Sequence, residues 1–329
     1  MKVLFIGGTG NISTPVSRLA MSLDVELYHL NRGTSIQEIP GVITLQGDIN
    51  EPLTQSLLSD HYRDSVVNWI AYTPADIERD LILFKDKTRQ YIFISSASCY
   101  QRPVRCPIIT ESTPLANPYW QYSRDKIDCE YRLMGAYHLE GFPVTIVRPS
   151  LTYDTVIPIS VGGFREYTTA QRILDGRPVL VPGDGTALWT VTHADDFAKG
   201  FMGLVGNYHA LGHAFHITSD EILNWNTIYR TLAEALNREI HMVHVASETI
   251  CRLEPDYTGT LLGDKCESTI FDNTKIKTFV PGYQATIPFH TGIRRTLAWL
   301  DAHPAKKIVD QASDATIDRI IKAAQSLTI

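Results

Sequence analysis

The chain begins with a short apolar run that leads directly into a glycine-rich turn. Residues 3–6 are VLFI, then come Gly7, Gly8 and Gly10, and apolar residues recur at helical spacing from Ile12 onwards. A continuous apolar run of this kind is typical of a strand buried on both faces of a parallel sheet. The segment therefore predicts a strand, a tight turn and a helix.

A turn of this kind suits the pyrophosphate of a dinucleotide. Glycine permits positive φ and lets backbone N–H groups approach an anion at the positive end of a helix dipole. The motif alone leaves open a plain strand-to-helix connection. If the dinucleotide interpretation holds, the contacts predicted here are Gly7, Thr9, Gly10, Asn11 and Ile12.

Composition narrows the function classes. The 329 residues are 44% apolar and 20% charged, with a formal net charge of −6, as in an ordinary globular protein without a basic surplus for nucleic acid. We expect no membrane partner, because no apolar run is long enough to span a bilayer. Five cysteines without a CxxC pair favour reduced thiols in the cytoplasm. Three closely spaced histidines lack a carboxylate pattern, so we predict no metal site.

Strands and helices alternate through the first 150 residues. Further strands are predicted over 25–30, 42–45, 66–71, 91–94 and 144–147, and a helix over about 119–138. This alternation predicts an α/β fold, a Rossmann-like doubly wound parallel sheet that binds ligands at the carboxyl ends of its strands. Late amphipathic helices are predicted over 289–300 and 314–324.

The predicted domains follow from this pattern. Residues 1–150 form the dinucleotide-binding Rossmann domain, to which about 190–217 and 286–302 return. Residues 151–285 are mainly a smaller C-terminal substrate-binding part, where proline, glycine and aromatic residues increase. Residues 303–329 are a C-terminal helical extension.

Several further motifs follow in order along the chain. They are Asp48-Ile49, Ile70-Ala71, the serines of 95–98 before Tyr100, Tyr122 with Lys126, Arg148-Pro149 and Gly183-Asp184-Gly185. In this order the chain resembles the extended short-chain dehydrogenase/reductase family, of the NAD-dependent epimerase/dehydratase type. Of fifteen tyrosines, only Tyr122 has a lysine four residues on. The resemblance covers nearly the whole chain.

The resemblance implies that Ser96, Tyr122 and Lys126 are catalytic. Hydride transfer at a carbinol needs a group that exchanges the hydroxyl proton, and free tyrosine, with a pKa of about 10, is a poor base. We expect the charge of Lys126, one helical turn on, to lower the pKa of Tyr122. Family members also use this lysine to hold the nicotinamide ribose. Ser96 would hydrogen-bond the substrate oxygen, and its neighbour Ser98 is assigned to the substrate.

The end of the second strand bears on the choice of cofactor. Residues 31–33 are Asn31, Arg32 and Gly33, without the carboxylate that favours NAD. Because Arg32 can pair with a 2′-phosphate, we expect NADP in preference to NAD. The resemblance places Asp48 at the adenine and adds further cofactor contacts at Asn31, Ile49, Ala71, Tyr122, Lys126 and Pro149.

Departures from the family pattern bear on packing, substrate and assembly. Ser13 replaces the third glycine of the turn and is small enough to keep helix and strand close. Leu151 and Trp189 stand where members acting on nucleotide-sugars commonly contact the diphosphate with Asn and Arg. Because apolar residues cannot pair with those charges, we expect both to contact a different, small-molecule substrate. The segment between Ala71 and Ser95 is short and lacks the long asparagine-containing helix that in the family commonly contributes to the dimer interface, so a homodimer is left open.

Three functions remain at this point. The first is an NAD(P)-dependent oxidoreductase or epimerase acting on a carbinol or carbonyl of a small, sugar-like substrate other than a nucleotide diphosphate sugar. The second is a nucleotide-sugar 4-epimerase. The third is a non-catalytic RNA-binding protein of the same fold, since GGTGNIS and NRG also resemble a chloroplast stem-loop RNA-binding branch. Tyr122, Lys126 and the negative charge weigh against the third.

Overall fold

Seven parallel strands form the central sheet of the computed structural model, which describes residues 1–33, 39–59 and 61–326. The elements of the first part are β1 (Lys2–Ile6), α1 (Ser13–Met21), β2 (Glu26–Asn31), β3 (Ile43–Gln46), α2 (Pro52–Ser59), β4 (Ser65–Asn68), α3 (Pro74–Phe84), β5 (Tyr91–Ile94), β6 (Ile108–Ile109), α4 (Gln121–Glu140) and β7 (Val144–Val147).

The second part mixes short strands with helices. Its elements are β8 (Leu151–Tyr153), α5 (Thr168–Leu174), β9 (Val179–Pro182), β10 (Leu188–Trp189), β11 (Val191–His193), α6 (Ala194–Leu204), β12 (Ala214–Phe215), β13 (Leu223–Asn224), α7 (Trp225–Ala235), β14 (Met242–Val245), α8 (Ser247–Leu253), β15 (Ile270–Phe271), α9 (Thr274–Phe279), α10 (Phe289–Ala302) and α11 (Gln311–Ser326).

The strand order of the sheet is β12-β7-β5-β4-β1-β2-β3. Val3 of β1 pairs with Leu27 of β2 on one side and with Ser65 of β4 on the other. The order therefore reverses around β1, and the crevice at such a switch point is where doubly wound sheets bind ligands. The predicted Rossmann-like fold is confirmed.

Helices cover both faces of the sheet, as continuous apolar strands require. On one face, Val16 of α1 and Phe201 of α6 share a buried cluster with Phe5 of β1. On the other, Ile77 of α3 and Leu133 of α4 pack against the opposite side of the strands. Alternate side chains of β1 thus enter two separate cores.

Element ends differ from the predictions by a few residues. The fourth strand stops at Asn68, three residues earlier than predicted, and Ile70 is exposed beyond it. The long helix ends at Glu140, where Gly141 adopts a left-handed φ of 72°. Glycine tolerates this conformation without steric cost, and it is a common helix terminator.

Elements of the second part pack in two places, against the central sheet and in a separate apolar cluster. Strand β12 joins the central sheet beside β7, and α6 packs on α1. Helix α10 contacts α7 and β11, and its Phe289 and Ile293 share an apolar cluster with Trp189 and Trp225. Among the helices that the structure describes, none is both long and apolar enough to cross a membrane.

Candidate active site

Ser96 and Tyr122 meet where the carboxyl end of β5 faces the first turn of α4. Ser96 follows β5 and opens a short 3₁₀ turn, with its Oγ accepting from the Ser98 N–H at 3.1 Å. The Ser96 hydroxyl lies close enough to the Tyr122 phenol to lower its pKa. The Ser98 hydroxyl lies 2.9 Å from that of Ser96 and accepts a hydrogen bond from Ser123 at 2.7 Å. Hydroxyls of the strand end and of the helix therefore form one connected group.

Tyr122 is surrounded by aromatic rings. The ring of Trp120 lies 5.0 Å away and that of Tyr72 lies 6.4 Å away, centroid to centroid. Burial raises the pKa of the Tyr122 phenol well above its ordinary value, and the Ser96 hydroxyl opposes this rise only in part. Lys126 was expected to lower this pKa, but burial is the larger effect and the net shift is upward. The phenol is protonated at neutral pH.

The Lys126 ammonium is bound to backbone carbonyl oxygens. Its Nζ donates to the carbonyl oxygens of Ala71 at 2.6 Å and Ile94 at 2.7 Å, and lies 5.8 Å from the Tyr122 ring centroid. The residue is only 1% exposed, and burial lowers its pKa to about 8. The ammonium thus bridges the segment that follows β4 and the last residue of β5. Ala71, a predicted cofactor contact, is one of its two anchors.

A buried ion pair fixes α4 against the strand ends. Arg148, just after β7, binds Glu130 of α4 through Nη2–Oε2 at 2.6 Å and Nε–Oε1 at 2.9 Å. Ser95 at the end of β5 donates to the same Glu130 carboxylate at 2.5 Å. No role was predicted for this pair from the sequence. The sequence could have indicated that Glu130 lies near the site, because Glu130 lies two helical turns beyond Tyr122 on the same face.

Asn117 is a second positioning residue that the motifs did not reveal. Its Nδ2 donates to the Ser98 carbonyl at 2.8 Å and to the Gly263 carbonyl at 2.7 Å. Gly263 belongs to a π-helical turn, Leu261–Lys265, that packs on Trp120. Such turns occur frequently at functional sites. Nothing in the local sequence distinguishes this turn from an ordinary helix.

The glycine turn has the shape that a pyrophosphate needs. Gly7 has φ of 85°, and a Cβ at Gly8 would lie 2.4 Å from His29. A Cβ at Gly10, by contrast, would meet only the Ser13 hydroxyl, at 3.4 Å. That hydroxyl accepts from the Gly10 N–H at 2.8 Å and donates to the Gly7 carbonyl at 3.0 Å. The Ser13 hydroxyl therefore bridges the two ends of the turn. In the part of the chain that the structure describes, the space beside the Gly10 Cα holds no other side chain.

The side chain of Asn11 is directed to the second part of the chain. Its Nδ2 donates to the Thr152 carbonyl at 3.1 Å, and its Oδ1 accepts from the N–H groups of Asp154 at 3.0 Å and Thr155 at 3.3 Å. The amide is thus occupied by backbone partners. Contacts of Asn11 and of its neighbours Thr9 and Ile12 with a cofactor stay predictions, for which backbone N–H groups are the donors.

The residues assigned to the adenosine end lie together beyond β2 and β3. Arg32 Nη1 is 4.0 Å from Asp48 Oδ2, with 70% of the arginine side chain exposed. The other Asp48 oxygen accepts from the Asn50 N–H at 2.9 Å. Asn31 ends β2, and Ile49 is buried. A ribose or adenine would therefore meet charged groups here.

The predicted substrate residues Leu151 and Trp189 are both buried in the apolar cluster of the second part. Leu151 is 8% exposed, and Trp189 is 1% exposed and stacks on Trp225 at 5.8 Å. Pro149, a predicted cofactor contact, accepts from the Ala97 N–H at 2.9 Å. Across the part of the chain that the structure describes, no three His, Cys, Asp or Glu side chains are grouped to hold a metal.

Comparison with known proteins settles the family. Residues 3–218 match the family described as the NAD dependent epimerase/dehydratase family. The chain belongs to this family. It is an NAD-dependent oxidoreductase or epimerase of the extended short-chain dehydrogenase/reductase type, which confirms the resemblance drawn from the motifs.

Two curated relatives of this epimerase/dehydratase family member have different roles. One is 2'-dehydrokanamycin reductase of Streptomyces kanamyceticus, 24% identical over 286 residues, which are 86% of this chain and 80% of the relative. The other is the chloroplast stem-loop binding protein of 41 kDa b of Arabidopsis thaliana. It is 24% identical over 249 residues, which are 71% of this chain and 63% of the relative.

Solved structures show the same fold. Epimerase Mth375 of Methanothermobacter thermautotrophicus has a TM-score of 0.76 at 16% identity, covering 92% of this chain and 93% of that one. UDP-glucuronic acid 4-epimerase of Bacillus cereus in complex with NAD has a TM-score of 0.73 at 17% identity, covering 95% and 100%. At such identities the likeness is evidence of fold alone.

Proposed function

We propose that this epimerase/dehydratase family member transfers a hydride between NADP(H), or less readily NAD(H), and a carbonyl or carbinol carbon of a small, sugar-like substrate. The observation that carries the proposal is the placement of Ser96, just after β5, beside Tyr122 of α4, with Lys126 one helical turn further on. When bound, the nicotinamide supplies or accepts the hydride. Ser96 and Tyr122 hold the substrate oxygen and move its proton.

Protonated Tyr122 favours the reductive direction. Because burial keeps the phenol protonated, it can give its proton to a carbonyl oxygen as the neighbouring carbon accepts a hydride. The product is then an alcohol, and the phenolate formed is stabilised by the Lys126 ammonium and the Ser96 hydroxyl. The similarity to 2'-dehydrokanamycin reductase supports this direction.

The substrate that we propose carries no diphosphate. A cavity of about 680 Å³ opens beside Tyr119, three residues before Tyr122. Its described lining includes the carboxylates Asp184, Glu248 and Glu267 and neither lysine nor arginine. Carboxylates repel a diphosphate, and burying its charges without partners is costly. A diphosphate that reached from Tyr122 into this cavity would therefore meet carboxylates in place of cations.

Our expectations for the cofactor preference, the cellular compartment, the partner and the oligomeric state are also proposals. Arg32 supports NADP over NAD, because its exposed guanidinium is available to a 2′-phosphate. Five free cysteines support a reducing compartment, for which we propose the cytoplasm. We propose a small molecule rather than nucleic acid as the partner. A homodimer stays an expectation, measurable by light scattering on the purified protein.

The decisive experiment begins with freshly purified protein. Denaturation and chromatography identify any dinucleotide released, and the stripped protein is titrated with NAD(H) and NADP(H). We expect reversible NADPH binding and oxidation of NADPH in the presence of keto-sugars without phosphate. Retained dinucleotide with competition by a nucleotide-sugar would instead favour 4-epimerisation. Absence of any dinucleotide binding, with salt-sensitive RNA binding, would favour the non-catalytic RNA-binding function.

A further inference from the structure

A second cavity lies directly beside the glycine turn. It has a volume of about 550 Å³, and Thr9, Gly10 and Asn11 form one of its walls. The opposite wall comes from the second part of the chain, from the loop after β8 and the segment that follows α10. Two cationic side chains, Arg165 and Lys306, belong to that opposite wall.

Neither cation is neutralised by the protein. Across residues 1–33, 39–59 and 61–326, the side chains of Arg165 and Lys306 have no hydrogen-bond or ion-pair partner. The nearest acidic lining residues are otherwise engaged. Glu166 accepts hydrogen bonds from the hydroxyls of Thr168 and Ser313. The Asp154 carboxyl is largely buried, and burial raises its pKa to about 6.

The backbone at Arg165 is held in an unusual conformation. Its φ is 72°, in the left-handed region that a non-glycine residue occupies only at a cost in free energy. The residue follows Gly162 and Gly163, and the Gly163 carbonyl accepts from the Glu166 N–H at 3.2 Å, which closes the turn around Arg165. An arginine persists here although glycine would fit the backbone better.

We propose that Arg165 and Lys306 bind the pyrophosphate of the dinucleotide from the side opposite the glycine turn. The inference rests on the proposed dinucleotide-dependent function. The turn itself supplies no cation to two negative charges, whereas the guanidinium fork of Arg165 matches the geometry of a phosphate. The three hydrogen bonds of Asn11 hold the loop after β8 against the turn, so the two walls keep their separation.

The test compares charge removal at the cavity with charge removal elsewhere. Arg165→Gln and Lys306→Gln are titrated with NADPH by fluorescence and with ADP-ribose by calorimetry. Arg230→Gln on α7 and Lys322→Gln on α11 are matched controls, since these exposed cations do not line the cavity. We expect Kd for both ligands to rise roughly tenfold in each cavity variant and to stay unchanged in the controls. Reduced nicotinamide riboside, which carries no phosphate, should bind all variants alike.

Two further variants keep the outcome interpretable. Arg165→Gly removes the charge and suits a positive φ, so weak binding by this variant cannot be attributed to backbone strain. Arg165→Lys keeps the charge and should recover part of the affinity. If the wild type binds NADPH and the cavity variants bind it within twofold, the inference is wrong while the proposed function stands. If the wild type binds no dinucleotide, both are overturned.

Discussion

The guanidinium of Arg32 lies 4.0 Å from the carboxylate of Asp48, so the two residues predicted to meet the adenosine half of the cofactor contact each other. The contact is long and solvent-exposed, and pairs of this kind contribute little to stability. A 2′-phosphate offers Arg32 a stronger partner, because charge-assisted bidentate hydrogen bonds to phosphate are short and directional.

Replacing Arg32 therefore tests the cofactor preference. We expect Arg32→Gln to weaken NADPH binding roughly tenfold, through loss of a charge-assisted hydrogen bond, and to leave NADH binding within twofold. Titration of the stripped protein with both dinucleotides measures this. Asp48→Asn removes the carboxylate that competes for Arg32, so it should not weaken NADPH binding. Equal losses for NADH and NADPH in Arg32→Gln would mean that Arg32 does not recognise a 2′-phosphate.

Tyr122 should be required for turnover and not for binding of the cofactor. We expect Tyr122→Phe to lower kcat by about 10²–10⁴-fold, the usual contribution of a positioned general acid. Steady-state oxidation of NADPH with the best keto-sugar measures kcat, and fluorescence titration measures cofactor affinity. Tyr131→Phe, on the same helix and exposed, is the matched control. A fully active Tyr122→Phe enzyme would remove Tyr122 from the mechanism.

The buried ammonium of Lys126 should make stability depend on pH. Burial lowers its pKa from 10.5 to about 8, so between these values the unfolded chain binds more protons than the native one. Native stability attributable to Lys126 is thus lowest below pH 8 and rises as the pH approaches 10.5. The gain is about 3 kcal/mol at most.

Urea unfolding of the wild type and of Lys126→Met over this pH range measures the effect. As the pH rises, the free energy of unfolding of the wild type should increase relative to that of the variant. Parallel pH profiles would show that the Lys126 ammonium is not desolvated in the native protein.

The buried Glu130–Arg148 pair should contribute far more to the free energy of unfolding than exposed ion pairs do. Glu130→Gln leaves the buried Arg148 charge without its carboxylate, which we expect to cost about 3–5 kcal/mol of unfolding free energy. Glu78→Gln, which removes the exposed partner of Arg132, should cost less than about 1 kcal/mol. Urea titration compares the two variants. Similar costs for both would contradict the role of Glu130 in fixing α4.

The sequence predicted most of what depends on neighbouring residues. The strand, glycine turn and helix around Gly7 are encoded within a few residues, and so is the one-turn spacing of Tyr122 and Lys126. A lowered pKa of Tyr122 was expected from the charge of Lys126, whereas burial of the phenol raises that pKa. Spacing reveals that two groups share a helix face, but it reveals neither the burial of the phenol nor the carbonyls that hold the ammonium.

Contacts between distant segments could not be predicted in the same way. Asn117 and Gly263 are far apart in the chain, and the π-helical turn that joins them has no distinct local pattern. The same holds for Arg165, whose place near the glycine turn depends on how the second part folds over the first. These positions follow from tertiary packing, which a single sequence does not display.

The amide of Asn11 gives the cleft a property that neither of its halves has alone. One side chain of the glycine turn is bonded to three backbone groups between Thr152 and Asp154–Thr155, in the segment that leads from the sheet into the second part. The two halves are therefore joined by hydrogen bonds at the turn where we propose that the cofactor binds. If a dinucleotide binds at the turn as proposed, a shift of Asn11 would also shift residues 152–155, so we expect the cofactor to bind before the substrate.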